Sequence, residues 1–166
     1  DTEVGFVDYW ASFDIPMQTE QSEMPWGSAI IDLDNNGLSD ILLTASNFSF
    51  IGTTGAPLRA WMQDEPSGFV ERGEALGLPQ HGATRGLVAR DINADGIVDL
   101  LVGDYSRSPW LLLSNGCTTN NWLEIEAPAG TVVRVESGDQ AWSGLVSNHQ
   151  GFGGFGPVSV HIGLGT

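Results

Sequence analysis

The chain has no lysine. Six arginines stand against 21 aspartates and glutamates in 166 residues, giving a net charge of −15. Such a surface repels polyanions, which argues against nucleic acid or an anionic membrane as partner. A salt-rich habitat would account for the acidity equally well. Cysteine is nearly absent too: Cys117 stands alone, so no intrachain disulfide can form. It is read as a small buried apolar residue, with a free thiol or half of an intermolecular bridge as the alternatives. No apolar run approaches the ~18 residues of a membrane-spanning helix. The three histidines, His81, His149 and His161, share no paired metal-ligand spacing. No G-x-S-x-G nucleophile elbow is present.

The lack of lysine also disposes of one motif. Gly151-Phe152-Gly153-Gly154-Phe155-Gly156 matches G-x-G-x-x-G. A kinase glycine loop would need its lysine. A dinucleotide fingerprint would open a helix and be followed by an acid about 20 residues on, whereas here Pro157 and a strand-like stretch follow. The segment reads as a glycine loop anchored by two phenylalanines.

What the chain does have is one nine-residue pattern, twice. The first copy runs from Asp32 through Leu33, Asp34, Asn35, Asn36, Gly37, Leu38 and Ser39 to Asp40. The second runs from Asp91 through Ile92, Asn93, Ala94, Asp95, Gly96, Ile97 and Val98 to Asp99. Oxygen-bearing side chains stand at positions one, three, five and nine, and glycine at six. An apolar residue stands at seven, where only its carbonyl can serve. Calcium wants six to eight oxygens at roughly 2.3–2.6 Å and a glycine for the sharp turn. The expected ligands are therefore Asp32, Asp34, Asn36, Asp40 and the Leu38 carbonyl in one loop. In the other they are Asp91, Asn93, Asp95, Asp99 and the Ile97 carbonyl. Two acidic Asx-rich turns without metal are the plainer reading, weakened by the repetition.

An EF-hand would place a glutamate at position twelve on an exiting helix; here Leu43 and Val102 stand there. Strand-like segments flank each loop: Ser28–Ile31 and Ile41–Thr44, then Gly86–Ala89 and Leu100–Gly103. Strand, loop and strand together resemble the FG-GAP/VCBS repeat family, the calcium-loop repeats of integrin-like β-propellers. The resemblance implies an extracytoplasmic scaffold for binding or adhesion. Phe6-Val7-Asp8 resembles the short F-x-D segment of that family.

Composition supports an all-β fold: 41% apolar residues, 22 glycines and short runs between turn signals. Two blade-like antiparallel sheets are expected within residues 1–128, as repeats over about 26–78 and 83–128. Each should have four strands and one loop, with the loops starting 59 residues apart. In the first repeat Leu58–Met62 and Phe69–Arg72 read as strands, and Glu74–Leu78 as a short helical turn. In the second, Trp110–Leu113 and the alternating Trp122–Glu126 complete the set. The apolar runs beside the loops predict burial on both faces. A closed propeller needs four to eight blades, so the chain is either part of a longer array or a pair of sheets packed on each other and on the tail. The tail, 129–166, carries strand-like Thr131–Val135, Gln140–Gly144 and Val158–Ile162, and resembles the ASPIC/UnbV domain.

A start at Asp1 without methionine reads as a processed or trimmed product. Calcium-rich surroundings suit a secreted, cell-surface or periplasmic location. Asn47-Phe48-Ser49 is formally a glycosylation sequon. Two calcium ions would bring the charge from −15 to −11. No catalytic constellation is evident, so the expected role is a non-enzymatic calcium-binding module. Its partner would be a protein or glycan, with self-association or packing against further repeats left open. The alternative is a carbohydrate-binding or carbohydrate-active accessory protein, which would use an acid pair outside the loops beside exposed tryptophan. The six tryptophans are expected mainly in the core.

Overall fold

The computed structural model describes residues 23–47, 55–65, 68–116, 118–149 and 152–166. The expectations placed on Phe6–Asp8, Cys117 and most of 47–52 lie outside these residues. Among the described residues the protein is all-β, with twelve strands in four sheets and no helix. None of the sheets closes on itself.

The first sheet has the order β1-β2-β3-β4, from Glu23–Ile31, Asp40–Asn47, Arg59–Glu65 and Gly68–Glu71. The second has the order β5-β6-β7, from Thr84–Arg90, Asp99–Asp104 and Trp110–Leu112. All pairs are antiparallel. Ile31 pairs with Asp40 in one hairpin and Arg90 with Asp99 in the other, so each nine-residue pattern closes the same kind of hairpin. Past β4, one helical turn forms at Arg72–Leu76, where the Leu76 amide donates to the Arg72 carbonyl at 2.9 Å. Gly77, at φ 73°, ends it in the left-handed region that glycine enters without a Cβ clash.

The two sheets share one core. Ala29, Leu42, Leu58 and Ala60 from the first meet Leu87, Ala89, Leu100 and Val102 from the second. A reciprocal pair of buried threonines joins them. Thr44 Oγ1 accepts from the Gly27 amide at 2.7 Å and donates to the Arg85 carbonyl at 2.6 Å. Thr84 Oγ1 accepts from the Ala45 amide at 3.1 Å and donates to the Ala45 carbonyl at 2.9 Å. A hydroxyl that both donates and accepts satisfies main-chain groups that would otherwise be stranded away from water.

Three expectations change. The apolar strands beside the loops are buried on one face, but Ile30 is 74% and Leu101 41% exposed on the other. The second sheet has three strands. Its expected fourth, β8 (Asn121–Glu126), is hydrogen-bonded instead to β12 (Phe155–Gly165), in a sheet of order β11-β12-β8 with β11 at Ser147–His149. Alternation in 121–126 marked a half-buried strand; it carried no information about the neighbour. Among the described tryptophans only Trp61 is fully buried, at 2% exposure. The remaining tail strands, β9 (Val132–Ser137) and β10 (Gln140–Leu145), form a two-stranded hairpin.

Candidate metal centre

The loops between β1 and β2 (loop 1) and between β5 and β6 (loop 2) share a backbone. The fourth residues, Asn35 and Ala94, both have φ 59°, and the sixth, Gly37 and Gly96, both have φ 89°. Left-handed angles suit asparagine and glycine for different reasons: a short polar side chain in one case, no Cβ in the other. The hydrogen bonds repeat as well. Asp32 Oδ2 accepts the Gly37 amide and Asp91 Oδ2 the Gly96 amide, each at 2.7 Å. Asp32 Oδ1 accepts the Asn36 amide at 3.1 Å and Asp91 Oδ1 the Asp95 amide at 3.2 Å. The third residue joins in through Asp34 Oδ1 and Asn93 Oδ1, each 3.1 Å from the same amides. Asn36 Oδ1 accepts the Leu38 amide at 2.7 Å and Asp95 Oδ1 the Ile97 amide at 2.9 Å.

The ninth residues do more than their position in the pattern indicated. Asp40 is fully buried; its Oδ2 accepts the Leu33 amide and its Oδ1 the Gln63 amide of β3, each at 2.8 Å. Asp99, equally buried, accepts the Ile92 amide at 2.9 Å and the Ser114 amide just past β7 at 2.8 Å. Each therefore ties its loop to the third strand of its own sheet, and each oxygen keeps a lone pair to spare.

Asp32, Asp34 and Asp40 bring one oxygen apiece within 4.8 Å of one another. Among the described residues no other trio of His, Cys, Asp or Glu does so. This buried acidic group can hold a metal ion. Burial pushes the Asp32 carboxyl up to about 6 and the Asp40 carboxyl up to about 7, with charge repulsion from Asp34 adding to both. Main-chain donors pull the other way without cancelling the effect. Three clustered carboxylates and an all-oxygen donor set fit a hard divalent cation, whose charge would reverse that push. In loop 2 the third position is Asn93, whose Nδ2 donates to Asp95 Oδ2 at 2.8 Å, and Asp95 is exposed.

Residues of β8, β10 and β12 close over the two loops. A Cβ on Gly163 of β12 would collide with the Asp32 carboxylate and lie 2.5 Å from Asn35 Cα, so only glycine fits there. A Cβ on Gly37 would sit 2.8 Å from Trp142 Nε1, and one on Gly96 would run into the Trp122 indole. The indole of Trp122 stacks on His161, with ring centroids 5.8 Å apart and planes 13° from parallel. His161 Nε2 lies 2.6 Å from Asn35 Oδ1, and burial holds its pKa below the usual histidine range. Beside loop 1 a cleft of about 470 Å³ opens between Asp32, Trp142, His149 and His161. The pattern-based reading missed Asn35, His161 and both tryptophans. For Asn35 a signal existed, since asparagine at the left-handed fourth position contrasts with alanine in the other copy.

The sequence matches no family model and no curated protein.

Proposed function

We propose that this is an extracytoplasmic calcium-binding protein of the FG-GAP/VCBS type, acting as a binding or adhesion module, in which calcium is structural. The observation that carries the reading is the duplicated loop: the same left-handed angles and the same main-chain bonds, built around oxygens in both copies. Repetition of a geometry that includes strained positions favours a shared purpose over two unrelated turns. Each loop takes one ion, through Asp32, Asp34, Asn36, Asp40 and the Leu38 carbonyl, and through Asp91, Asn93, Asp95, Asp99 and the Ile97 carbonyl. The ion offsets carboxylate repulsion and pins the hairpin, so the sheets keep their shape under the binding surface. Several anionic ligands favour Ca²⁺ over the more reluctantly dehydrated Mg²⁺.

The cleft beside loop 1 favours a second reading, a carbohydrate-binding role with Trp142 as a stacking wall. Asp32 is the only acid among its described lining residues, so this reading concerns binding rather than the two-carboxylate chemistry of hydrolysis.

Calorimetry on chelator-treated protein tests the main reading: two Ca²⁺ per chain are expected, and fewer than two contradict it. A ligand that binds only the folded state stabilises it by about 2.7 kcal/mol at a hundredfold excess over Kd. EDTA should therefore lower the melting temperature strongly, as should Asp34→Ala combined with Asp95→Ala in millimolar calcium. A glycan array addresses the second reading.

A further inference from the structure

Asn35 connects the two loops. It is 1% exposed, and both ends of its carboxamide are engaged. Nδ2 donates to the Gly96 carbonyl of loop 2 at 2.9 Å, while Oδ1 lies 2.6 Å from His161 Nε2. Its main-chain carbonyl accepts the Gly165 amide at 2.8 Å. The Gly96–Ile97 peptide is thus held on both sides: Asn35 binds its carbonyl, and Asp95 Oδ1 accepts its N–H at 2.9 Å. Asn35 itself stands between Asp34 and Asn36, so it adjoins the third and fifth positions of one loop and binds the sixth of the other.

A second link runs parallel to the first. Asn120 Nδ2 donates to the Asp34 carbonyl at 3.0 Å, and Ser114, six residues earlier, donates its amide to Asp99 of loop 2. Ala94, the counterpart of Asn35, is exposed and offers no polar side chain. The Asn35 bond therefore has no counterpart from loop 2.

We infer that the two loops bind calcium as a thermodynamically coupled pair, with Asn35 as the coupling residue. This rests on the calcium reading above. The physical reason is the burial of the linking bond. If either loop shifts without the other, the Asn35–Gly96 bond breaks, leaving a donor and an acceptor away from water, which is costly. Ordering one loop around its ion therefore pre-orders the other. The effect is reciprocal, because coupling between two binding equilibria must be.

The test uses the whole metal-free chain and Ca²⁺ alone. Calorimetry on Asp95→Ala yields the affinity of loop 1 with loop 2 empty, and Asp34→Ala yields the converse. The product of the parent's two stepwise association constants, divided by the product of these single-loop constants, is the coupling factor. A factor within the roughly 5- to 150-fold range usual for coupled sites is expected. It should fall to near one in the Asn35→Ala background, a substitution at a φ where loop 2 already carries alanine. A factor near one in the parent overturns the coupling while leaving the calcium reading intact. No calcium binding by the parent overturns both. An undiminished factor in folded Asn35→Ala removes Asn35 from the role. If that variant does not fold, Asn120→Ala cuts the second link and should lower the factor, and an undiminished factor there counts against the inference.

Discussion

Raising the pH should destabilise the protein when metal is absent, and the burial of loop 1 sets the size of the effect. Asp32 and Asp40 titrate near 6 and 7 in the folded state, against 3.8 for an ordinary aspartate. Folded-state values above the unfolded ones mean that the folded chain holds its protons longer. Stability from these two groups is thus fully present below about pH 4 and is lost as pH climbs through 6 to 7. Each tenfold gain in proton affinity on folding is worth about 1.4 kcal/mol, so Asp32 alone would contribute about 3 kcal/mol and Asp40 about 4 kcal/mol. Charges at buried sites behave as in a medium of effective dielectric constant about 20, which shrinks the desolvation cost behind both shifts, so the pair together contributes about 4 kcal/mol rather than the sum. For a domain of this size 1 kcal/mol moves Tm by roughly 2–4 °C, which makes the fall about 10 °C between pH 4.5 and 7.5. His161 acts in the opposite direction. Its lowered pKa costs stability as pH falls through 6.5 and below, so it blunts the profile at the acid end. General repulsion among the surface acids also grows with pH, but 0.5 M salt screens it and leaves the buried pair largely unscreened. The assay is thermal unfolding of chelated protein in high salt across that range, with Asp40→Asn as comparison. Saturating Ca²⁺ should remove the decline, because the ion displaces the protons. A flat or rising Tm in the chelated parent, unchanged by Asp40→Asn, would refute the argument.

Other outcomes follow from the same geometry. Gly37→Val and Gly96→Val should both weaken calcium binding although neither glycine is a ligand, since φ 89° is closed to a β-branched residue. The second should be the more damaging, because its side chain would enter the Trp122 ring; equal calcium titrations for parent and variants would contradict this. Thr44→Val and Thr84→Val should each cost about 1–3 kcal/mol in urea unfolding, because the main-chain partners across the sheets lose their bonds while the packing volume is kept. A valine variant as stable as the parent would remove the threonine pair as a link between sheets.

Both loops were legible in the sequence because their signal is local. Four oxygen positions and a glycine within nine residues state what the turn must do, and the flanking apolar segments state that strands enter and leave it. A helical turn was legible for the same reason, though it forms at Arg72–Leu76, two residues before the expected Glu74–Leu78. The destination of β8 was not, because alternation reports a half-buried face without naming a neighbour. Ile30 and Leu101 mislead for a related reason: an apolar residue in a strand is consistent with burial but does not require it. Asn35 was passed over because its side-chain partners lie 61 and 126 positions downstream. No window of sequence contains such a contact. The dual role of Asp40 and Asp99 was hidden in the same manner, behind amides on a strand that each hairpin meets only after folding.

The cover over loop 1 bears on the order in which the molecule can assemble. Loop 2 is anchored by a bond spanning 15 positions, from Asp99 to Ser114, whereas loop 1 receives His161 from 126 positions away. Closing the longer span costs more chain entropy and comes later. At a synthesis rate of about 5–20 residues per second, roughly 6 to 25 s separate the emergence of Asn35 from that of its histidine partner. During that interval the acids of loop 1 stand in water, where they ionise freely and can meet a cation. Once β12 docks, Gly163 covers the Asp32 carboxylate and the way in narrows. An ion held by loop 1 would enter most easily in that interval, and its later exchange with solvent would depend on how often β12 lifts.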